Sequence, residues 1–206
     1  MLGSFIRHGL TQEEAAGEAL LQVIAGSDTS ATTIRTVMLS LQSNPDAYRK
    51  LHAEIDSAIA TGRISSPITD AEARHLRYLQ AVIKEGLRIL PPAGGPFFKT
   101  VPAGGDVIAG KYIPAGTQIG SSPLSIHHSK SIYGDDAEMF RPERWLEADE
   151  EKLTVMNNTV DLVFHYGKYL CLGKPVAMME FNKIFVEASG IPLLRRAHGL
   201  LFLTCN

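Results

Sequence analysis

Along residues 11–43 the apolar positions recur in two runs, "ALLQVIA" and "TVMLSL", with a spacing that predicts one long helix. Thr11, followed three residues on by Glu14, reads as a capping box at its start, and Pro45 bounds its end. Between the runs lies "GSDTSATT", where Gly26, Asp28, Thr29 and Ser30 weaken a helix with no gain in packing. A functional kink or groove is one explanation; a solvent-exposed turn of helix is the other. A second helix is predicted over residues 45–60, with its charges on one face, and "TGRISSP" is a loop. A third starts near Asp70, continues through "YLQAVIKEGLRIL" and stops at Pro91-Pro92. From there to about residue 122, glycines and prolines separate short alternating runs, "FFKTV", "DVIAG" and "TQIGS", expected as strands of a minor sheet. "FRPERWLEADEE" reads as an irregular connection, long enough to be functional or mobile. The last helix begins near Pro175 and is apolar on nearly all sides through Val186, so it is expected to be buried. The pattern predicts a mainly α chain with a small β-sheet and no internal repeat.

Composition narrows the function classes. The chain has 206 residues, 45% hydrophobic and 20% charged, enough for one globular core. A net charge of −2 and a pI near 6.4 give no electrostatic reason to expect nucleic acid or an anionic membrane surface as partner. Two cysteines, Cys171 and Cys205, are expected as reduced thiols. The opening "MLGSFIRHGL" shows no targeting pattern, and the apolar runs fall short of the ~20 residues that cross a bilayer, so no membrane segment is expected in this chain.

Chemistry concentrates in "FHYGKYLCLGKPVA". Pro175 suits the first turn of a helix, which sets Cys171 just ahead of a helix N-terminus where a thiolate is favoured. Gly167 and Gly173 let backbone approach a flat ligand. A metal-ligating sulfur suits that setting; a small buried hydrophobe is the plainer alternative. No second Cys or His lies at zinc-ligand spacing, so a cofactor needing one protein ligand fits better. Glu85 and Arg88 in "KEGLR" share a helical face and have apolar flanks, which suggests a buried pair with Arg144 of "FRPERW" as further partner; a partly exposed salt bridge is the alternative. His127 and His128 are expected to be structural or superficial, and "LGKP" lacks the spacing of a phosphate loop.

"AGSDTS" on a long helix, then "EGLR" before "PP", then "FRPERW", then "FHYGKYLCLGKPVA" together resemble the C-terminal half of a cytochrome P-450, the haem-thiolate monooxygenase family. The cysteine signature Phe-x-x-Gly-x-x-x-Cys-x-Gly-x-x-x-Ala is met by Phe164, Gly167, Cys171, Gly173 and Ala177. "GKYLCLGKPVAMMEFNKIFVE" and "MLGSFIRHGLTQEEA" further resemble the fungal pisatin-demethylase-like branch. The resemblance implies a partial cytochrome P-450 fold, from the oxygen-binding helix to the cysteine-ligand helix, over residues 1–187. Residues 188–206 resemble nothing in the family and are expected to be a non-homologous tail. Whole members of the family are much longer, so a truncated chain is the expectation.

What the resemblance implies for function is specific. Cys171, as thiolate, would be the axial ligand of the iron of haem b (iron protoporphyrin IX), with Phe164 packed on the sulfur side. Asp28 and Thr29, with Ala25 and Gly26, would form the distal helix motif, in which Gly26 makes room for oxygen and the acid-alcohol pair relays protons to it. Glu85, Arg88 and Arg144 would be a structural triad. The family's usual basic residue two positions before the cysteine is here Tyr169, with Lys168 beside it, and Lys99 is a further candidate partner for a haem propionate. The implied activity inserts one oxygen atom from O2 into a small lipophilic substrate, with electrons from NADPH through an NADPH-cytochrome P-450 reductase. Retention of the acid-alcohol pair speaks against the oxygen-independent isomerases of the same fold. The alternative is a non-catalytic fragment that does not retain haem. Full-length relatives would sit at the endoplasmic reticulum membrane, and oxidation in fungal secondary metabolism is the expected setting.

Overall fold

The computed structural model describes residues 2–189. Cys205 and nearly all of the tail expected at residues 188–206 lie outside the described residues.

A short helix, α1 (Leu2–Arg7), not foreseen from the pattern, precedes α2 (Gln12–Ser43). Helix α2 starts at the expected box: the Thr11 hydroxyl accepts from the Glu14 N–H, and the Glu14 carboxylate accepts from the Thr11 N–H at 2.8 Å. The polar stretch does not break it. Thr29, Thr33 and Thr36 each donate a hydroxyl to the carbonyl four residues back, at 2.7, 3.2 and 2.9 Å, so these side chains are satisfied inside the helix. Helix α3 (Pro45–Ala60) follows with proline in its first turn.

The single helix expected from Asp70 is two, α4 (Asp70–Ala73) and α5 (Arg77–Ile89). The reason is a cap from outside. The Glu54 carboxylate of α3 accepts the backbone N–H groups of Tyr78 and Leu79, both at 2.9 Å, and so fixes a new helix start there. The small sheet is two separate antiparallel ladders. Strand β1 (Lys99–Thr100) pairs with β4 (Gln118–Ile119), placing Lys99 opposite Ile119. Strands β2 (Asp106–Ile108) and β3 (Lys111–Ile113) form a tight hairpin, of which β3 was not foreseen.

Short helices α6 (Pro123–His127), α7 (Lys130–Tyr133) and α8 (Arg144–Glu147) lead to α9 (Glu150–Val160), so the connection expected to be irregular is largely helical. The chain ends its described part with α10 (Lys174–Ser189). That helix is not buried on all sides: Phe181, Asn182, Phe185 and Val186 enter the core, whereas Val176, Met179 and Ile184 are 53%, 41% and 40% exposed.

One core joins the C-terminal half of α2 to α3, α5 and α10, around Val37, Leu41, Leu51, Ile55, Leu79, Val82, Ile83, Phe181 and Phe185. Helices α2 and α5 approach so closely that a Cβ on Gly86 would lie 2.2 Å from Val37 Cγ2. The N-terminal half of α2 stands outside this core, with Leu20, Leu21, Val23 and Ile24 all about 60% exposed.

Candidate functional site

Two polar sites flank the core, and they differ in kind. The first is buried. Glu85, Arg88 and Arg144 are 0%, 0% and 3% exposed, and the fold brings them together from α5 and α8. Glu85 accepts from Arg88 Nε and Nη2 at 2.9 and 2.8 Å and from Arg144 Nε at 2.9 Å. It also accepts from the Trp145 indole N–H at 2.9 Å and the Arg141 backbone N–H at 2.8 Å. The remaining guanidinium hydrogens go to loop carbonyls: Arg88 to those of His127, Ala137 and Met139, Arg144 to those of Tyr133, Asp136 and Met139. Asp136 adds a second carboxylate, accepting from Arg144 at 3.0 Å and Arg141 at 2.5 Å. Burial alone would raise the Asp136 carboxyl, but these arginines outweigh it and hold it below the usual carboxylate range. Trp145, Asp136 and the loop carbonyls were missed from the sequence; Trp145, next to Arg144, carried the only readable signal.

His127 is buried, with its Nδ1 against the Pro123 carbonyl at 2.7 Å. His128 bridges the Ile89 carbonyl and Glu138. The His127 bond stays within α6, whereas His128 ties the end of α5 to the segment that carries Glu138.

The second site is open. Cys171 is exposed, which overturns the reading of it as a buried small hydrophobe. A turn of 3-10 helix at Gly167–Tyr169 leads into it, and α10 starts three residues after it. The Cys171 N–H donates to the Phe164 carbonyl at 2.8 Å, closing the loop, while Phe164 itself is buried. Gly167 has φ 63° and open space where a Cβ would stand, so glycine is what the turn requires. Gly173 accepts from the Ala177 N–H at 2.9 Å in the first turn of α10.

Tyr169, two residues before Cys171, lines an open cleft together with Phe97, Phe98, Lys99, Thr100 and His165. The Lys99 ammonium sits 3.8 Å from the centre of the Tyr169 ring and that of Lys168 5.8 Å from it. Among the described residues neither lysine has a carboxylate partner. His165 holds φ 63° and ψ −170°, a region essentially restricted to glycine, at a cost of about 1–3 kcal/mol. Nothing in the sequence flags this, because a backbone angle is not written in residue type.

The helix carrying Ala25, Gly26, Asp28 and Thr29 is tied to the helix that follows Cys171: Ser30 donates to the Glu180 carboxylate at 3.0 Å. Ala25, Gly26 and Asp28 are exposed, Thr29 is half-buried, and a Cβ on Gly26 would meet nothing within 4 Å.

The donor chemistry at this face is coherent. A free thiol, open backbone at Gly26 and Gly167, exposed Leu170, Leu172 and Val176, and two ammonium groups without a carboxylate partner among the described residues fit a flat apolar group with a soft metal and an anionic edge. Haem is such a group, and these residues fit it. Among the described residues no helix is long and apolar enough to cross a membrane.

Comparison with known proteins agrees. The chain is 49% identical over 197 residues to "Cytochrome P450 monooxygenase ABA1" of Pyricularia oryzae, an overlap covering 95% of this chain and 38% of that relative. It is 47% identical over 187 residues to "Cytochrome P450 monooxygenase aba1" of Botryotinia fuckeliana, covering 91% and 37%. To "Cytochrome P450 monooxygenase abl1" of Leptosphaeria maculans it is 41% identical over 187 residues, covering 91% and 33%. The chain thus spans little more than a third of the length of these relatives. The cytochrome P450 family model matches residues 4–188, and the chain belongs to the cytochrome P450 family.

Proposed function

We propose that residues 1–187 are the C-terminal half of a haem-thiolate monooxygenase domain, with residues 188–206 a tail outside it. The observation that carries this is the exposed Cys171 thiol, held by its N–H on Phe164 ahead of α10, two residues after Tyr169, whose ring carries Lys99 and Lys168. Cys171 Sγ would ligate the iron, Phe164 would close the sulfur side, and Gly173 would keep the start of α10 clear. Lys99, Lys168 and Tyr169 would take the propionates. Haem, when bound, supplies the redox centre at which dioxygen is activated.

The chain's own residues would do the rest. Asp28, exposed on α2, would take a proton from solvent and pass it on through Thr29. Thr29 Oγ1 donates its one hydrogen to the Ala25 carbonyl at 2.7 Å, so in the relay the hydroxyl would turn away from that carbonyl, accept a proton on its oxygen and give its own hydrogen to the reactant. Ala25 and Gly26 present backbone without bulk, leaving space for the reactant. Glu85, Arg88 and Arg144 would act on the scaffold and not on the chemistry. Oxygen insertion into a small lipophilic substrate, electrons from NADPH through a cytochrome P450 reductase, location at the endoplasmic reticulum and membership of the pisatin-demethylase-like branch belong to the same proposal.

A second reading, that these 206 residues do not retain haem by themselves, is favoured by the apolar face of Leu20, Leu21, Val23 and Ile24, all about 60% exposed. One experiment separates the two. The chain is titrated with haemin, reduced under carbon monoxide and compared with Cys171→Ala. A red-shifted, thiolate-type Soret band in the wild type and its loss in the variant are the expected result. Retention that ignores the substitution would refute the ligand assignment, and no retention would establish the second reading.

A further inference from the structure

His165 occupies a glycine-only backbone conformation, and the one ring contact it gains is with Phe97. Its ring is part of the cleft wall, edge-on to Phe97 with centroids 4.0 Å apart at 82°. The residue is half-buried, and its ring makes no hydrogen bond among the described residues. The backbone on either side is firmly held: its own N–H donates to the Leu162 carbonyl at 2.9 Å, and the preceding Phe164 carbonyl accepts from Cys171 at 2.8 Å. A strained conformation that persists under such constraint points to a use for the side chain it displays. Lys99 and Tyr169 line the same cleft, and both are hydrogen-bond donors at their tips.

We infer that His165 is a further donor, beside Lys99, Lys168 and Tyr169, for carboxylates on the edge of a bound tetrapyrrole, and that its backbone strain is kept for that contact. The inference rests on the haem reading proposed above. An imidazole N–H donates to a carboxylate in the neutral ring as well as in the charged one, so the contact needs no particular protonation state.

The test combines binding with unfolding, using the 206-residue chain and three variants, His165→Gly, His165→Ala and His165→Gln. Each is titrated with haemin and with haemin dimethyl ester, which carries no carboxylates, and each haem-free chain is melted. His165→Gly and His165→Ala are expected to bind haemin about tenfold more weakly than the wild type, with His165→Gln, which retains an N–H donor, in between. All four chains should bind the dimethyl ester alike. Haem-free His165→Gly should melt above the wild type, because glycine adopts this conformation without strain. Equal haemin affinity in all four chains, or equal losses for haemin and its ester, would overturn the inference. So would a glycine variant melting below the wild type, since the ring would then be supporting the fold. A wild-type chain that takes up neither probe would establish the second reading above, that these residues do not retain haem by themselves, and would overturn the inference for this chain, a distinct outcome from a failure at His165.

Discussion

Glu85 and Cys171 stand at opposite extremes of the same fold. Glu85 is fully buried and receives five N–H donors from two arginines, an indole and a backbone amide, so its pocket is complete without any ligand. Cys171 is exposed, as are Leu170 and Leu172 on either side of it, and among the described residues the lysines beside Tyr169 have no carboxylate partner; in the proposed function a bound group completes these surroundings. One region fixes the scaffold, and the other spends order on a site. Their mutations should therefore separate cleanly. Glu85→Ala leaves two buried guanidinium groups and an indole N–H without their shared acceptor, and it is expected to cost about 3–5 kcal/mol of a total near 5–15 kcal/mol. Urea unfolding of the haem-free chain checks this, with Cys171→Ala as control, expected within about 0.5 kcal/mol of wild type. Equal stability of the two variants would end the distinction.

Two helical glycines sharpen it further. A methyl group on Gly86 would press into Val37, itself fully buried, and the overpacking of about 1–3 kcal/mol should exceed the gain of about 1 kcal/mol in helix propensity. A methyl on Gly26 meets nothing within 4 Å, so Gly26→Ala should stabilise the haem-free chain by about 0.5–1 kcal/mol. Opposite shifts in melting temperature are the expected outcome. A loss in both would show that the N-terminal half of α2 is packed like the core.

How far the sequence reads through depends on how local each cause is. The start of α2 was legible because Thr11 and Glu14 cap it from within three residues. The break between α4 and α5 was not, because the carboxylate that restarts the helix comes from Glu54, 24 residues away. Helix α10 was misread as buried throughout: an all-apolar face signals burial only where a partner exists, and Val176 and Ile184 have open surface. At the buried cluster, motif order pointed to Glu85, Arg88 and Arg144, whose contacts the fold supplies. Asp136 and the accepting carbonyls of His127, Ala137 and Met139 stayed invisible, since backbone groups leave no trace in composition. At the open face, Cys171 and the lysines were legible as chemistry. The strain at His165 was not, because it is a property of the folded loop.

The smallest expected effect tests where the closed region ends. Asp136 sits at its rim, with a side chain 31% exposed, bridging Arg144 at 3.0 Å and Arg141 at 2.5 Å. Its carboxyl is held below the ordinary range in the fold, so it binds a proton less readily there than in the unfolded chain, where about 3.9 is usual. The stabilisation is therefore fully present above about pH 4 and is lost as pH falls through the folded value. Asp136→Asn should lower stability at pH 7 by under about 1 kcal/mol, a figure kept small because solvent screens a rim pair. The gap to wild type should then close as urea midpoints are followed below about pH 4. Cys171→Ala should leave that acid limb in place, because the hydrogen bonds of Asp136 run to Arg141 and Arg144 and not to the cysteine loop. A gap that persists unchanged to the lowest pH would mean that Asp136 contributes through its shape and hydrogen bonds alone, and the electrostatic boundary would then lie inside it, at Glu85 and the two buried arginines.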